Sequence, residues 1–288
     1  MNSSKHIPGK LVVIGGGAAG FFCAINAARI LPGLQVLLLE KSGKLLSKVK
    51  VSGGGRCNVT HQCFQISELI KKYPRGASFL KKSFHSFQPK DTIAWFESRG
   101  VRLKAEADGR LFPVTDDSET IMQCLLQEAA RYQVQIQLRI EVVAIQARHS
   151  STGRFELTVS DGRKIEADAV CVTTGGFPKL EQWSWLQQTG HSIETPLPSL
   201  FTFNIPNSPL QSLMGISLEQ TEVRIKGIKA SETGPLLITH WGLSGPAVLR
   251  LSAWHARELA AQQYRFDVFI NWLPGENETG LQPAFARY

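Results

Sequence analysis

The chain has 288 residues, of which 43% are hydrophobic and 9% are aromatic, so it can fold into one large or two modest domains and is not a disordered tail. Its net charge is +8, but no run of five basic residues occurs, and this dispersed charge predicts no nucleic-acid partner. Five cysteines without a CxxC pair exclude a disulfide framework and a zinc site. They favour a reducing compartment.

The first apolar segment is long enough to raise the question of a membrane span. Residues 11–28 carry no charge, and the length of this uncharged segment is at the lower limit for a helix that spans a membrane. Four glycines, Gly15, Gly16, Gly17 and Gly20, interrupt this segment, and such a cluster suits a phosphate-binding turn better than insertion into lipid. We therefore predict a cytoplasmic protein with no membrane partner.

The same segment has the pattern of a βαβ unit. Residues 10–14 form a short β-branched run typical of a buried parallel strand, and a stretch of helical length follows. Residues 35–40 form a second buried strand that ends in an acid. The pattern predicts an α/β fold of the Rossmann-like type.

The turn between the first strand and the helix contains the dinucleotide-binding fingerprint. Gly15 permits the tight turn, Gly17 lets the main chain approach a pyrophosphate, and Gly20 lets the helix pack close to the strand. Glu40 ends the second strand, where its carboxylate could accept hydrogen bonds from ribose hydroxyls. This spacing fits FAD and NAD equally well.

A second glycine-rich stretch, residues 52–58 (SGGGRCN), follows a lysine-rich loop. Three consecutive glycines let the main chain lie against a flat or anionic ligand, and Arg56 could pair with a phosphate. The alternative is a flexible loop without a ligand. Cys57 and Cys63 do not have the CxxxxC spacing of disulfide reductases, so Cys57 is interpreted as a packing residue.

In the rest of the chain the predicted secondary structure changes from helices to strands. Residues 62–130 are mainly helical in pattern, and residues 134–172 form a series of strands with hairpin turns at 150–153 and 161–162. After residue 194 strands predominate again. We therefore predict a domain boundary between residues 194 and 195.

The chain resembles a known family, the bacterial aminoacetone oxidase/BaiN-like flavoproteins. The likeness lies in VVIGGGAAG at the first turn, KVKVSGGGRCN, VTTGG and THWGLSGPAVLRLS, and it covers nearly the whole chain. The resemblance implies a Rossmann-like FAD-binding domain over residues 1–194. It also implies an inserted β-rich, barrel-like domain over residues 195–288, with the returning segment of the FAD-binding domain absent.

The resemblance further implies a set of cofactor-binding residues. The pyrophosphate would lie on the first glycine turn, the ribose on Glu40, the adenine against Val142 and the flavin along residues 50–58. The full set is Gly15, Gly17, Ala18, Ala19, Gly20, Glu40, Lys41, Lys50, Ser52, Gly53, Gly54, Gly55, Arg56, Cys57, Asn58, Val142, Thr174, Gly175 and Gly176. Residues 177–190 depart from the segment usual in the family, and no catalytic residue or metal ligand is assigned.

The function that these features predict is FAD-dependent oxidation or reduction of an unidentified small molecule. Hydride would pass through flavin N5, with NAD(P)H as a candidate electron donor. Two alternatives stay open: a flavin-free fragment or binding module, and an NAD-only dehydrogenase. The expected partner is a small-molecule substrate, and the sequence predicts no oligomeric state.

Overall fold

The computed structural model describes residues 9–148 and 154–275, and the chain divides into two compact units between Glu194 and Thr195. The first unit is mixed α/β, and the second is built around an antiparallel sheet. The predicted Rossmann-like α/β fold with a separate β-rich part is confirmed. The hairpin turn predicted at 150–153 lies outside the described residues. No helix within the described ranges is long and apolar enough to cross a membrane.

The first unit contains ten strands and seven α-helices in its described part. The strands are β1 (Lys10–Ile14), β2 (Gln35–Glu40), β3 (Thr60–His61), β4 (Leu103–Ala105), β5 (Arg110–Pro113), β6 (Gln135–Leu138), β7 (Val142–Ala147), β8 (Phe155–Val159), β9 (Lys164–Ala167) and β10 (Ala169–Val172). The helices are α1 (Ala18–Ile30), α2 (Ser47–Val51), α3 (Ile66–Ile70), α4 (Ala77–Ser86), α5 (Pro89–Glu97), α6 (Ser118–Arg131) and α7 (Ser184–Gln187). Short 3₁₀ helices span Ser52–Gly55 and Leu180–Trp183.

A four-stranded parallel sheet with the order β10-β1-β2-β6 forms the centre of the first unit. Its inner strands are continuous apolar runs because both faces are covered, and Val12, Val13 and Leu38 are fully buried. Helix α1 covers one face with Phe21 and Ile25. Since all four strands are parallel, the loops that follow β1, β2 and β10 meet at one edge.

The chain enters this sheet from an antiparallel meander of β7, β8 and β9. The sequence pattern predicts one strand through residues 164–172, but the structure has two. Asp168 separates them: its carboxylate accepts a hydrogen bond from Lys10 N at 2.8 Å, and its own N–H donates to the Lys10 carbonyl at 2.9 Å. These two bonds turn the chain from the meander into the parallel sheet.

The second unit contains a five-stranded antiparallel sheet with the order β11-β14-β13-β12-β15. Its elements are β11 (Phe203–Asn204), β12 (Ser217–Ile225), β13 (Ser231–Thr239), β14 (Gly242–Ser244), α8 (Pro246–Trp254), α9 (Ala256–Ala261) and β15 (Val268–Asn271). Helix α8 packs Val248 and Leu251 against Leu236 and Leu243 of the sheet. The unit therefore has a hydrophobic core of its own.

Candidate functional site

The three glycines of the fingerprint occupy three different environments. Gly15 has φ +113°, and a Cβ atom there would lie 2.6 Å from the Thr173 carbonyl oxygen. A Cβ on Gly20 would lie 1.9 Å from the Gly15 carbonyl oxygen, so helix α1 packs directly on the turn. A Cβ on Gly17 would meet no atom of the described residues within 4 Å. The turn is therefore closed behind Gly15 and Gly20 and open at Gly17.

Helix α1 begins at this turn with free main-chain donors. Its first residues, Ala18 and Ala19, are exposed, and the first helical hydrogen bond runs from Phe21 N to the Gly17 carbonyl at 3.0 Å. In the described part of the chain no side chain caps the helix, and its first turn contains no acid. Uncapped N–H groups and the helix dipole favour an anion at this point.

Glu40 faces the glycine turn from the end of β2. Its Oε2 accepts a hydrogen bond from Gly16 N at 2.8 Å, and its Oε1 accepts one from Ser42 N at 2.8 Å. The carboxylate is thus held by main-chain donors of both loops, and each oxygen keeps a further lone pair for a hydroxyl donor.

A cavity of about 340 Å³ lies beside the turn. Five residues of the predicted set line it: Gly15, Glu40, Lys41, Val142 and Thr174. These residues come from three strand ends and from the start of the meander, and they meet because the parallel strands end at one edge. The structure therefore brings together the part of the set expected around adenosine. Their role in binding stays a prediction.

The segment after β10 forms a further wall of this cavity, which the predicted set did not include. Its lining residues are Phe177, Glu181, Gln182, Ser184 and Trp185. Trp185 is buried and donates from Nε1 to the Gln182 carbonyl at 3.0 Å. The Lys41 Nζ atom lies 5.1 Å from the centre of the Phe177 ring. The two tryptophans of residues 177–190 are the sequence feature that could have indicated this wall. The presence of tryptophan does not by itself show that the segment lies against the cavity.

The second glycine turn is joined to the first by Thr173. Its hydroxyl oxygen lies 2.9 Å from the Ile14 carbonyl oxygen and 3.1 Å from that of Gly15. Gly175 has φ +73°, and a Cβ there would lie 3.4 Å from Lys48 Nζ. A Cβ on Gly176 would meet no described atom within 4 Å. Lys48 was not in the predicted set, and it reaches this turn from helix α2.

The second glycine-rich stretch follows α2 and has a left-handed main chain. Gly53, Gly54 and Gly55 have φ values of +57°, +70° and +88°, and Gly53 packs against the Phe112 ring. Gly54 and Gly55 face open space among the described residues. Leu46 N, just before α2, donates to the Gly16 carbonyl at 2.9 Å, so the stretch is tied to the first turn through one helix.

The remaining predicted residues of this stretch do not line the 340 Å³ cavity. Lys50 and Asn58 are exposed, and the Ser52 hydroxyl donates to the Val49 carbonyl at 3.0 Å. The Cys57 thiol is buried, burial raises its pKa, and its φ is +62°. A buried thiol with a raised pKa is a poor nucleophile, which favours the packing interpretation.

Arg56 already has a carboxylate partner. Its Nη1 lies 2.5 Å from Glu106 Oε1, and its guanidinium stacks 4.1 Å from the centre of the Phe112 ring. The hydrogen bond to Glu106 raises the pKa of Arg56 further above its ordinary value. The structure thus shows Arg56 holding the loop to β5, and its predicted contact with a phosphate stays a prediction.

Comparisons with known proteins extend over almost all of this chain. A family model described as the HI0933-like protein Rossmann domain matches residues 9–247. A 3-dehydro-bile acid delta(4,6)-reductase of Clostridium scindens is 26% identical over 96% of this chain and 67% of its own length. A ribosomal RNA dihydrouridine synthase of Haemophilus influenzae is 31% identical over 92% of this chain and 65% of its own length. The chain thus spans about two thirds of the length of these relatives.

Solved structures also match the chain. A 3-ketosteroid-delta4-(5alpha)-dehydrogenase of Rhodococcus jostii superposes with a TM-score of 0.47 at 15% identity, covering 77% of this chain and 58% of that one. The family model covers most of the chain, including both glycine-rich stretches, and it confirms the resemblance drawn from the sequence. The chain therefore belongs to the HI0933-like Rossmann family.

Proposed function

We propose that this chain binds FAD at the first glycine turn and belongs to an oxidoreductase that uses the flavin. The main support for this proposal is that Gly15, Glu40 and Val142 line one cavity. That cavity lies beside the first turn of α1, which no described side chain caps. The open position at Gly17 leaves room for a pyrophosphate against the main chain. The residues around the first glycine turn therefore fit FAD.

The proposed contacts follow from the position of each residue. The N–H groups of residues 17–20 would donate to the pyrophosphate, and Glu40 would accept from the ribose hydroxyls. Val142 and Trp185 would flank the adenine in the cavity. Gly54, Gly55 and Asn58 would lie along the flavin side, since their surfaces are open. FAD, when bound, supplies hydride transfer at its N5 atom.

The names of the relatives suggest the class of substrate. One relative is named as a delta(4,6)-reductase of a 3-dehydro-bile acid, and the other as a dihydrouridine synthase. Both names describe the addition of hydrogen to a carbon–carbon double bond conjugated to a carbonyl group. We therefore propose the reduction of such a bond, with NAD(P)H as the electron donor that replaces the hydride.

The binding experiment compares two glycine variants. Gly17→Val fills the open face of the turn at a φ of −91°, which valine tolerates, so we expect the protein to fold and to lose FAD binding at least about tenfold. Gly275→Val is the matched control, because its Cβ would also meet no described atom within 4 Å and it lies far along the chain, in the second unit. Binding is measured by quenching of flavin fluorescence.

The outcomes separate the alternatives. Equal FAD affinity in both variants would contradict the assignment of the turn. Binding of NAD without FAD would favour the NAD-only dehydrogenase, and binding of neither would favour the flavin-free module. With FAD bound, NAD(P)H oxidation in the presence of a cyclic enone tests the proposed substrate class.

A further inference from the structure

The lysine-rich segment before the second glycine-rich stretch is positively charged throughout. Residues 41–56 contain five basic residues and no acid, which gives this segment a net charge of +5. The basic residues are Lys41, Lys44, Lys48, Lys50 and Arg56. Exposed lysines are common on protein surfaces, so the charge alone identifies no binding site. What distinguishes these residues is where each side chain lies.

One of these cations lies at the second glycine turn. The Lys48 Nζ atom is 3.4 Å from the position that a Cβ on Gly175 would occupy, and it is therefore next to the main chain of that turn. Among the residues that the structure describes, the Lys48 ammonium forms no ion pair and no hydrogen bond. Arg56, in contrast, already has Glu106 as its partner. The Lys48 ammonium is thus available to an anion at this turn.

The packing of α2 holds Lys48 at this position. Leu46, just before the helix, is buried with φ +54°, and its N–H donates to the Gly16 carbonyl at 2.9 Å. Val49 is buried in the core of the first unit. Lys48 lies between these two residues in sequence and stays exposed. The lysine therefore extends from a helix whose start is bonded to the first glycine turn.

The second glycine turn is also bonded to the first. The Thr173 hydroxyl oxygen lies 3.1 Å from the Gly15 carbonyl oxygen, and Gly175 follows Thr173 by only two positions. The proposed function places the diphosphate of FAD on the first turn, and the diphosphate is the part of FAD that carries negative charge. Main-chain N–H groups supply only partial charges, whereas an ammonium supplies a full one.

We propose that the Lys48 ammonium binds the diphosphate of FAD from the side of the second glycine turn. The inference rests on the proposed function and adds to it a charged side-chain ligand that the predicted residue set does not contain. Because the contact involves the diphosphate and not the flavin ring, it favours any compound that combines adenosine with a diphosphate. ADP-ribose should therefore compete with FAD for the site.

The test measures the Kd of FAD by quenching of flavin fluorescence and that of ADP-ribose by its competition with FAD. Lys48→Met removes the charge, and we expect it to weaken the binding of both ligands about tenfold, because a charge-assisted hydrogen bond is lost. Added salt should weaken FAD binding to the wild type more steeply than binding to this variant. Lys48→Arg keeps the charge and should stay within about threefold of the wild type. Residue 48 is exposed, so the variants should fold, which circular dichroism verifies.

The matched control is Lys44→Met, which removes the same charge from an exposed lysine of the same segment. It is expected to change both affinities by less than about twofold, because solvent and salt screen a charge that makes no direct contact. Equal weakening by Lys44→Met and Lys48→Met would reduce the effect to net charge and overturn the inference. A loss of FAD affinity without a loss of ADP-ribose affinity would place the lysine at the flavin ring and would overturn it as well.

The same measurements separate this inference from the proposed function. If the wild type binds FAD and Lys48→Met binds it equally well, the lysine contact is wrong and the proposed FAD site remains. If the wild type binds FAD but ADP-ribose does not compete, the contact with the diphosphate is also wrong. If the wild type binds no FAD, the proposed function and the inference both fail.

Discussion

The Thr173 hydroxyl oxygen lies 3.1 Å from the carbonyl oxygen of Gly15, so the residue after the last parallel strand is bonded to the first glycine of the fingerprint. The same hydroxyl lies 2.9 Å from the Ile14 carbonyl oxygen. The loop after β10 thus donates one hydroxyl group to the loop after β1, from a distant part of the sequence. The shape of the turn depends on that donor as well as on its own glycines.

Removal of this donor should loosen the turn. Thr173→Val keeps the shape of the side chain but removes the hydroxyl, and we expect the free energy of unfolding to fall by about 1 kcal/mol. Thr174→Val is the control, since that hydroxyl makes a longer contact of 3.3 Å to Gly175 and should matter by less than about 0.5 kcal/mol. Urea denaturation measures both, and equal losses would contradict the special position of Thr173.

Gly20 and Gly17 should differ sharply in their tolerance of alanine. A Cβ on Gly20 would lie 1.9 Å from a main-chain oxygen, so Gly20→Ala must displace α1 and should lower the unfolding free energy by about 3 kcal/mol. A Cβ on Gly17 would meet no described atom within 4 Å, and Gly17→Ala should lower the unfolding free energy by less than about 1 kcal/mol. Thermal unfolding of the two variants checks this order, and similar melting temperatures would refute it.

Glu40 should contribute to FAD affinity through its charge. Glu40→Gln keeps one oxygen acceptor but removes the carboxylate, and we expect FAD to bind about tenfold more weakly, because hydrogen bonds to a charged acceptor are the stronger ones. Glu181→Gln makes the same change in another wall of the cavity and is expected to leave affinity within about twofold. Fluorescence titration that found the two variants alike would argue against a ribose contact at Glu40.

Alkaline pH should destabilise the fold through a buried thiol. Burial, aided by the nearby Glu128, raises the pKa of Cys124 from 9.0 to about 11. The unfolded thiol would ionise first, so the native state holds its proton more tightly, and the free energy of unfolding falls as pH rises between these two values.

Urea unfolding over this pH range measures the effect. Cys124→Ala should reduce the dependence of stability on pH, whereas Cys63→Ala, at a partly exposed position, should leave it unchanged. If the alanine at position 124 leaves the pH dependence as it is in the wild type, another group is responsible.

The βαβ unit was predictable because its signals are local. The apolar run at 10–14 and the run at 35–40 became β1 and β2 with those bounds, since buried parallel strands are recognisable from adjacent residues. The division of residues 164–172 into two strands was not predictable. It depends on hydrogen bonds between Asp168 and Lys10, which are 158 positions apart.

In the candidate site, too, the residues that local sequence patterns mark were predictable, and the residues that long-range contacts bring there were not. Gly15 and Glu40 were predicted together because the fingerprint fixes their spacing, and both line the cavity. Phe177 and Trp185 were not predicted, because only the folded chain places them against the end of the sheet. Arg56 was assigned to a phosphate from its neighbours in sequence, but its observed partner, Glu106, lies 50 residues away.

The hydrogen bonds between Asp168 and Lys10 also bear on the order in which the parallel sheet assembles. They join residues that are 158 positions apart, and closing so long a loop costs conformational entropy before any contact forms. The pair β1 and β2 is connected by a single helix, so its contacts are more local and should form faster. Docking of β10 beside β1 should therefore be a late step of folding.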